Sequence, residues 1–334
     1  MIRRMMRRMN DEIHDQIRQL IAGAEKILVV SHIRPDGDAV GSLLGLGIAL
    51  QECGKTVSML LVDGVPASFR QLPGAAQVTR KVQQTFDTTI VVDASDLQRI
   101  GGALAGQIPD LNIDHHITNL NFARINFVDP EAEATAAVLA KNFSNWGLKI
   151  SEPVAKALLT GIVSDTIGFR TSNVRSQTLR LAADLMDRGA NLSELYNRAL
   201  IKRSYEAARF WGLGLERMQR EDRLVWTTLT LSDRLKSSYP GNDDADLVNI
   251  LASIDESEIG IIFVEQKDNH VKVSWRAQPG WDVSKLALQF GGGGHPAASG
   301  ADIAGSIIDV QEKVLTATRQ LINNGVGTNK TSQK

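Results

Sequence analysis

Acidic and imidazole side chains recur at the ends of predicted elements in the first half of the chain. Carboxylates that are crowded together repel one another and raise each other's pKa, so such a group needs a cation. Histidine nitrogens combined with carboxylate oxygens suit Mn²⁺, Zn²⁺ or Fe²⁺ better than Ca²⁺. The sequence therefore predicts a metal site that draws on His32, Asp36, Asp38, Asp93, Asp114, His115, His116 and Asp165.

The spacing of these residues indicates two ions rather than one. Asp36 and Asp38 flank a glycine, so their side chains diverge in an extended or turning loop and each can reach a different ion. A carboxylate shared between the ions would complete the pair. Two divalent ions about 3.5–4 Å apart can generate a hydroxide nucleophile and stabilise the charge on a phosphoryl group. The residues thus predict two-metal hydrolysis of a phosphate ester.

Each residue also has an ordinary structural explanation. A single aspartate at the end of a strand is commonly a helix cap or a turn former, and a single surface histidine commonly binds nothing. Six such residues at four successive element ends are much harder to explain in this way, so we favour the metal site.

Apolar runs rich in β-branched residues precede the predicted ligands. Near-continuous apolar strands that alternate with helices, such as Val40–Gln51, predict an α/β fold with a parallel sheet buried on both faces. Ligands of such sheets bind beyond the carboxyl ends of the strands. The predicted strands are Ile27–Val30, Val57–Val62, Ile90–Val92 and Leu111–Ile113.

The second half of the chain predicts a second, smaller α/β domain. Asn191–Arg220 is polar and charged and predicts a long connecting helix. We expect a catalytic domain over residues 10–190, a helical linker over 191–221, a substrate-binding domain over 222–325 and a disordered tail over 326–334. Within the second domain the pattern predicts strands at Leu224–Leu231, Ile259–Glu265 and His270–Ala277, and helices at Leu247–Ile254 and Val283–Phe290.

Composition excludes several classes of protein. The 334 residues include 37 Lys and Arg against 38 Asp and Glu, so the basic excess of a protein that binds long nucleic acid is missing. The single cysteine, Cys53, excludes an internal disulfide framework, and no apolar run approaches the ~20 residues of a membrane span. We interpret the basic start as a frayed lead-in with the real start near Met9, and expect a cytoplasmic protein without a membrane partner.

A glycine run in the second domain predicts a phosphate site. Gly291–Gly294 lack Cβ atoms, which lets backbone N–H groups approach a phosphate closely. His295 can donate to that phosphate, and the guanidinium of Arg276 can clamp it with two donors. A glycine run alone is more often a linker or a helix stop, and this one lacks the G-x-G-x-x-G pattern of a NAD-binding fold. Arg99, downstream of Asp93, is a further candidate for phosphate contact.

The order of the motifs resembles a known family. HIRPDGDAVGS, VVDASD, NIDHH and GIVSDT resemble the four motifs of the DHH phosphoesterase superfamily, and GGGGHPAASG, preceded by VKVSWRAQPGWDVSKLALQF, resembles the DHH-associated C-terminal domain. Together they resemble the NrnA-type subgroup of bifunctional oligoribonucleases (nanoRNases) and pAp phosphatases. The resemblance runs from about Lys26 to Asp302, and no ligand position in it is substituted.

The resemblance implies two Mn²⁺ sites that share Asp93, with Mg²⁺, Co²⁺ or Fe²⁺ as alternative ions. One site also uses His32 and Asp36. The other also uses Asp38, His115 and Asp165. The resemblance further implies that His116 faces the scissile phosphate beside Asp93, that Asp114 orients the histidines, and that substrate is bound by Arg276, Gly292, Gly293, Gly294, His295 and Arg99.

The implied activity is hydrolysis of RNA fragments of a few nucleotides to mononucleotides, and of 3′-phosphoadenosine 5′-phosphate (pAp) to AMP. Three alternatives stay open: a phosphodiesterase for linear or cyclic dinucleotides such as pApA and c-di-AMP, a manganese-dependent inorganic pyrophosphatase, and a nucleotide-sensing binding module that is no enzyme. The expected partners are short oligoribonucleotides and nucleotides but not long nucleic acid. Homodimers are common among the relatives, although one sequence shows no interface.

Overall fold

The computed structural model describes the backbone of residues 2–325 and the side chains of residues 11–324. The chain divides between Lys202 and Arg203 into two compact units. The α-helices are α1 Ile2–Gly23, α2 Gly37–Glu52, α3 Thr135–Asn142, α4 Glu152–Asp165, α5 Ser176–Asp187, α6 Leu192–Tyr196, α7 Tyr205–Glu216, α8 Leu231–Ser237, α9 Leu247–Leu251, α10 Ser284–Gln289 and α11 Ile307–Gly325. The strands are β1 Lys26–Val30, β2 Thr56–Leu60, β3 Val78–Thr79, β4 Thr88–Val92, β5 Leu111–Asp114, β6 Ile125–Val128, β7 Gln219–Glu221, β8 Leu224–Leu229, β9 Ile259–Gln266, β10 His270–Ala277, β11 Gly293–His295 and β12 Ala298–Ala304.

The first unit is built on a six-stranded sheet with the order β3-β2-β1-β4-β5-β6. Every strand pair in it is parallel, which confirms the predicted α/β class. The four predicted strands are β1, β2, β4 and β5. The sequence pattern missed β3, which has two residues, and β6, which is only half-buried along its length.

The two faces of this sheet are covered by different kinds of structure. Ile27 and Val29 of β1 face a large core to which α1 to α5 contribute. The alternate residues Leu28 and Val30 face a smaller cluster that includes Ile100 and is completed by loop residues between 82 and 122. The sheet is therefore buried on both faces as predicted, and among the described residues the α-helices pack on the face of the large core.

Glycines spaced four residues apart on α2 let this helix pack closely against α4. A Cβ atom added at Gly41 would lie 2.5 Å from the carbonyl oxygen of Ala157, and one added at Gly37 would lie 2.3 Å from the Ser164 hydroxyl. The contacts run in opposite directions along the two helices. As a result, the beginning of α2 meets the end of α4.

The second unit contains a mixed sheet with the order β11-β12-β10-β9-β8-β7. Its β8–β9 pair is parallel and its other pairs are antiparallel. Helices α10 and α11 pack on one face, and α7 and α9 pack on the other. The predicted strands are β8, β9 and β10, whereas β7, β11, β12, α8 and α11 were not predicted.

Two predictions about local structure are wrong. Asn191–Arg220 is not one helix but consists of α6, a π-helical turn at Asn197–Ile201, α7 and the start of β7. The basic start is not frayed, because its backbone belongs to α1 from Ile2 onward; the real start near Met9 stays a prediction. The division between the units falls inside the predicted linker 191–221, and the predicted domain bounds stay predictions. The predicted tail 326–334 lies outside the described residues.

We expect Gly41→Ala to lower the free energy of unfolding by about 1–3 kcal/mol, because the added methyl group would meet α4 backbone that cannot rotate away. Gly23→Ala is the matched control in the same unit, since a Cβ atom there meets nothing within 4 Å. Urea unfolding followed by circular dichroism compares the two variants. Equal stability of both would contradict the close packing of α2 on α4.

Candidate metal centre

The carboxyl ends of β1 and β4 form the centre of the candidate site. These strands are neighbours in the sheet although β2 and β3 separate them in sequence, and open α/β sheets bind ligands at such a switch point. His32 and Asp36 follow β1, and Asp93 follows β4. The backbone of Asp93 is left-handed, with φ of 57°. Strain of this kind in a non-glycine residue clusters at functional sites.

The other predicted ligands come from elements that end at the same place. Asp114 is the last residue of β5, and His115 and His116 follow it directly. Asp38 lies in the first turn of α2, and Asp165 is the last residue of α4. The close packing of these two helices therefore brings Asp38 and Asp165 to the edge of the sheet.

Ligand atoms from these residues approach one another closely enough to share ions. In each of three groups, one ligand atom per residue lies within 4.8 Å of every other. The first group, His32, Asp36 and Asp93, is the first predicted metal site. The second group, Asp38, His115 and Asp165, is the other predicted site without Asp93, the aspartate that the two sites are predicted to share. The third group links Asp93 to His115 and His116.

Two of the histidines are oriented as metal ligands are. Nδ1 of His32 lies 2.8 Å from the carbonyl oxygen of Ile33, and Nδ1 of His115 lies 3.3 Å from that of Ala132. With Nδ1 as the donor, each ring turns Nε2 toward the carboxylates, 3.5 Å from Asp93 for His32 and 3.9 Å for His115. Metal-bound histidines commonly donate their second nitrogen to a backbone carbonyl in this way.

Two of the predicted ligands also cap helices. Asp36 Oδ1 accepts hydrogen bonds from the amides of Asp38 and Ala39, each at 3.0 Å, and so caps α2. Asp38 accepts from the amides of Thr135 and Ala136 at 2.6 and 3.0 Å and so caps α3. Capping does not exclude ligation, because both bonds to Asp36 fall on Oδ1 and not on Oδ2, and because Oδ2 of Asp38, which accepts the Thr135 amide, has a second lone pair. The backbone amides fix the carboxylates in place.

Burial is the largest influence on the ionisation of this cluster. It raises the pKa of Asp38 well above the usual range, and the charges of Asp93 and Asp165 raise it further. Burial also raises the pKa of Asp165 to about 7, against the charge of His115. Against its burial, the hydrogen bond and charge of His32 lower the pKa of Asp93. The protein alone does not keep all these carboxylates ionised, so the donor set fits divalent cations.

His116 is held by a carboxylate rather than by a carbonyl group. Its Nδ1 lies 2.7 Å from Asp114 Oδ1. Burial would lower the pKa of His116, but the bond to Asp114 and the charge of Asp93 raise it to about 9. Asn119 in turn donates to Asp114 Oδ2 at 2.6 Å and to Asn112 at 2.8 Å. The carboxylates around His116 therefore favour its protonated form, and a chain of polar groups through Asp114 and Asn119 fixes the ring.

Known proteins share this architecture. The DHH family, N-terminal domain, matches residues 26–162, and the DHHA1 domain matches residues 231–324. The bifunctional oligoribonuclease and PAP phosphatase NrnA of Thermus thermophilus is 33% identical over 88% of this chain and 89% of its own length. The NrnA of Mycoplasma pneumoniae is 29% identical over 92% of this chain and 99% of its own length.

The chain belongs to the NrnA group of the DHH family. This confirms the family identified from the motifs, and it makes the protein a metal-dependent phosphoesterase. A solved exopolyphosphatase-related protein from Bacteroides fragilis has the same DHH fold, with a TM-score of 0.86, 26% identity, and coverage of 93% of this chain and 98% of that chain.

Sequence reasoning missed two residues of the DHH site, Asn119 and Thr135. Asn119 holds Asp114, and the Thr135 hydroxyl donates to Asp93 at 2.9 Å. Thr135 stands between alanines at the start of α3, and Asn119 lies in the loop after the two histidines. Neither belongs to a motif, so only the fold brings them to the ligands.

The predicted substrate residues of the DHHA1 domain lie on or next to β10 and β11, two strands that β12 separates. Arg276 of β10 pairs with Ala298 of β12, and Ala298 pairs with His295 of β11. Directly paired residues point to the same face, so Arg276 and His295 share a face about 10 Å apart, which is two strand spacings. Burial lowers the pKa of Arg276. Two nitrogens of its guanidinium already donate to Asn249 and to the Trp275 carbonyl, at 3.0 Å each.

The glycines of the DHHA1 domain are not equivalent. A Cβ atom at Gly292 would lie 2.1 Å from the carbonyl oxygen of Gly300, and Gly294 has φ of 140°, so both positions require glycine for the fold. A Cβ atom at Gly293, in the edge strand β11, would meet nothing within 4 Å. The fold of this unit does not explain why Gly293 is glycine.

Arg99 lies beside the metal cluster in the DHH domain. Its carbonyl oxygen accepts from the Ile33 amide at 2.7 Å. Burial and the charge of Arg99 lower the pKa of His32, but Asp93 and Asp36 raise it more, so that it lies above its usual value. The structure therefore brings this predicted phosphate contact to the site, where its role stays a prediction.

A bilayer-spanning helix is not found in the described range, where every helix is too short or too polar to cross a membrane. The cytoplasmic location stays a prediction.

We expect Mn²⁺ binding to release protons near neutral pH, because ligation needs carboxylates and the pKa of Asp165 is about 7. The number of protons released should decrease as the pH is raised from 7 to 8.5, because Asp165 is already ionised at the higher pH. Calorimetric titration in two buffers of different ionisation enthalpy measures this number. Asp165→Asn should release fewer protons at pH 7, and a release independent of pH would contradict the expectation.

Proposed function

We propose that this DHH protein is a Mn²⁺-dependent phosphoesterase that degrades very short oligoribonucleotides to mononucleotides and converts pAp to AMP. The Thermus and Mycoplasma relatives support both substrates, since each is named as an oligoribonuclease and PAP phosphatase. The formal charge of −1 supports a short substrate, because a long RNA requires many cations along its phosphates. The free Cys53, the single cysteine in the sequence, supports a reducing, cytoplasmic location.

The observation that carries this proposal is the placement of the Asp93 carboxylate between two ligand groups. Its Oδ2 faces His32 and its Oδ1 faces His115. Both imidazoles turn Nε2 toward it, and its pKa is lowered, so it stays ionised. One carboxylate with an oxygen on each side is the arrangement that a bridging ligand needs. We infer two Mn²⁺ ions, one in each group, that share Asp93.

The bound ions would lower the pKa of a water molecule and neutralise charge on the phosphoryl group. The side chains of the DHH domain supply the remaining chemistry. His116 carries a proton near neutral pH and gives it to the leaving oxygen. Asp114 holds the ring in one orientation through Nδ1, so the ring addresses the substrate through Nε2. Arg99 contacts a phosphate oxygen beside His32.

We further propose that the two domains divide these tasks. Residues 10–190 break the ester, residues 222–325 bind the end of the substrate, and residues 191–221 join them. In the second domain, backbone N–H groups of Gly292, Gly293 and Gly294 approach a phosphate together with Arg276 and His295. Gly293 supports this assignment most directly, since the fold leaves the space beside it open. A ligand that approaches the backbone there would explain the missing Cβ atom.

The experiment that tests the proposed function is a parallel assay of the Mn²⁺-loaded protein on pAp, a dinucleotide, a pentanucleotide, c-di-AMP and pyrophosphate. We expect turnover of pAp and the short oligoribonucleotides. Asp93→Asn should lower kcat by more than about 100-fold and reduce bound Mn²⁺, because it removes the shared ligand. Exposed Asp184 offers the matched control, Asp184→Asn, which should retain both properties.

Other outcomes of this assay would contradict the proposal. Fastest turnover of pyrophosphate would indicate a manganese-dependent pyrophosphatase, and fastest turnover of c-di-AMP a cyclic dinucleotide phosphodiesterase. Nucleotide binding without any turnover would indicate a sensor. Full activity of Asp93→Asn with Mn²⁺ still bound would remove Asp93 from the metal centre.

We expect Gly293→Ala to raise KM for a dinucleotide about tenfold, a loss of about 1.4 kcal/mol of binding, with unchanged Mn²⁺ binding and thermal stability. The added methyl group meets no protein atom, so it would obstruct only the ligand. Steady-state kinetics and thermal unfolding measure these effects. Gly212→Ala is the matched control in the same unit, because a Cβ atom there also meets nothing within 4 Å. A wild-type KM for Gly293→Ala would contradict the proposal that the ligand approaches the backbone closely there. His295→Ala tests the adjoining side chain in the same assay.

A further inference from the structure

The first turn of α3 lies against two carboxylates of the metal cluster. The residue before this helix is Ala134, whose side chain cannot cap it. Asp38 of α2 caps α3 instead, because its carboxylate accepts hydrogen bonds from the amides of Thr135 and Ala136. The hydroxyl of Thr135 then donates to Asp93 Oδ1. One residue of α3 thus contacts a carboxylate on α2 and another after β4.

The hydroxyl of Thr135 bonds outside its own helix, unlike the hydroxyls of the buried helical residues Thr160 and Thr318. The hydroxyls of Thr160 in α4 and Thr318 in α11 each donate a hydrogen bond to the carbonyl oxygen four residues earlier in the same helix. Thr135 stands at the first position of its helix, and its single hydroxyl proton goes to Asp93 instead.

The bond fixes the plane of the Asp93 carboxylate. The Thr135 hydroxyl lies 2.9 Å from Oδ1, whereas the nearest imidazole nitrogens of His115 and His116 lie 3.9 Å from the same oxygen. Nε2 of His32 lies 3.5 Å from the other oxygen, Oδ2. Rotation about the last side-chain bond would break this contact. With Oδ1 held by Thr135, Oδ2 stays directed toward His32.

The start of α3 is itself held firmly. Glu133, just before the helix, is buried and accepts a short hydrogen bond from the hydroxyl of Thr178 on α5. The ammonium group of Lys141, on α3 itself, lies 3.2 Å from the other oxygen of Glu133. Thr135 is fully buried between these contacts and the cluster. It therefore offers its hydroxyl from a fixed position.

We propose that Thr135 is a positioning residue that orients the shared carboxylate of Asp93, so that each of its oxygens faces one cation. The inference rests on the proposed function, in which Asp93 bridges two Mn²⁺ ions. Loss of the hydroxyl frees the carboxylate to rotate and weakens the site that depends on Oδ1, on the side of His115. Outer hydrogen bonds to metal ligands typically contribute 10–100-fold in metal affinity or activity.

The test compares Thr135→Val, which removes the hydroxyl at nearly equal volume, with Thr135→Ser, which keeps it. Calorimetric titration with Mn²⁺, without substrate, gives the stoichiometry and affinity of each ion, and steady-state kinetics on a dinucleotide gives kcat and KM. We expect Thr135→Val to weaken one of the two Mn²⁺ ions at least tenfold and to lower kcat similarly, with KM unchanged. Thr135→Ser should recover most of both.

Thr160→Val is the matched control, because it removes a buried helical hydroxyl that bonds only within its own helix. It should bind Mn²⁺ as the wild type does. If Thr135→Val does not fold, Thr135→Ala is judged by the same measurements. Wild-type Mn²⁺ affinity in the hydroxyl-free variant, or equal losses in Thr135→Val and Thr135→Ser, would overturn the inference. Fewer than two Mn²⁺ ions in the wild type would instead contradict the proposed function.

Discussion

Repulsion among carboxylates that are withdrawn from water is the constraint on which the rest of this structure depends. Asp38 and Asp93 are almost completely buried, and Asp36 and Asp165 add their charges nearby. The protein offsets part of this repulsion with backbone amides at Asp38 and with imidazoles around Asp93. Burial, together with the repulsion that remains, raises the pKa of Asp38 and Asp165. A cluster that favours protons in this way favours divalent cations for the same electrostatic reason.

The part of this site that follows strands could be predicted from the sequence. His32 and Asp93 come after apolar runs whose carboxyl ends must share one edge of a parallel sheet, so periodicity alone places them together. Thr135 and Asn119 could not be found in this way. Thr135 is 42 residues from Asp93 in the chain, and its contact depends on how α3 packs. Whether β6 and β11 form strands also depends on tertiary packing, since β6 is only half-buried and β11 is largely glycine.

The choice between a helix cap and a metal ligand, which the sequence presents as alternatives for a single aspartate, is not exclusive in this fold. Asp36 caps α2 and lies in a ligand group, and Asp38 caps α3 and lies in another. A cap orients a carboxylate with hydrogen bonds from a rigid backbone, and a metal site needs oriented carboxylates. The hydrogen bonds that cap α2 and α3 thus also orient the carboxylates of the site.

The half of the cluster that does not come from strands depends on how closely three helices approach. Gly161 of α4 lies where they meet, since a Cβ atom there would be 2.6 Å from Ala136 of α3 and 2.7 Å from the Asp38 carboxylate of α2. With a larger residue, α3 could not keep its first amides on Asp38 and its hydroxyl on Asp93 together. The sheet places His32 and Asp93, whereas the positions of Asp38 and Asp165 depend on how α2, α3 and α4 pack. The distance between the two ligand groups therefore depends on small residues between helices, and Gly161 is itself the first residue of the GIVSDT motif.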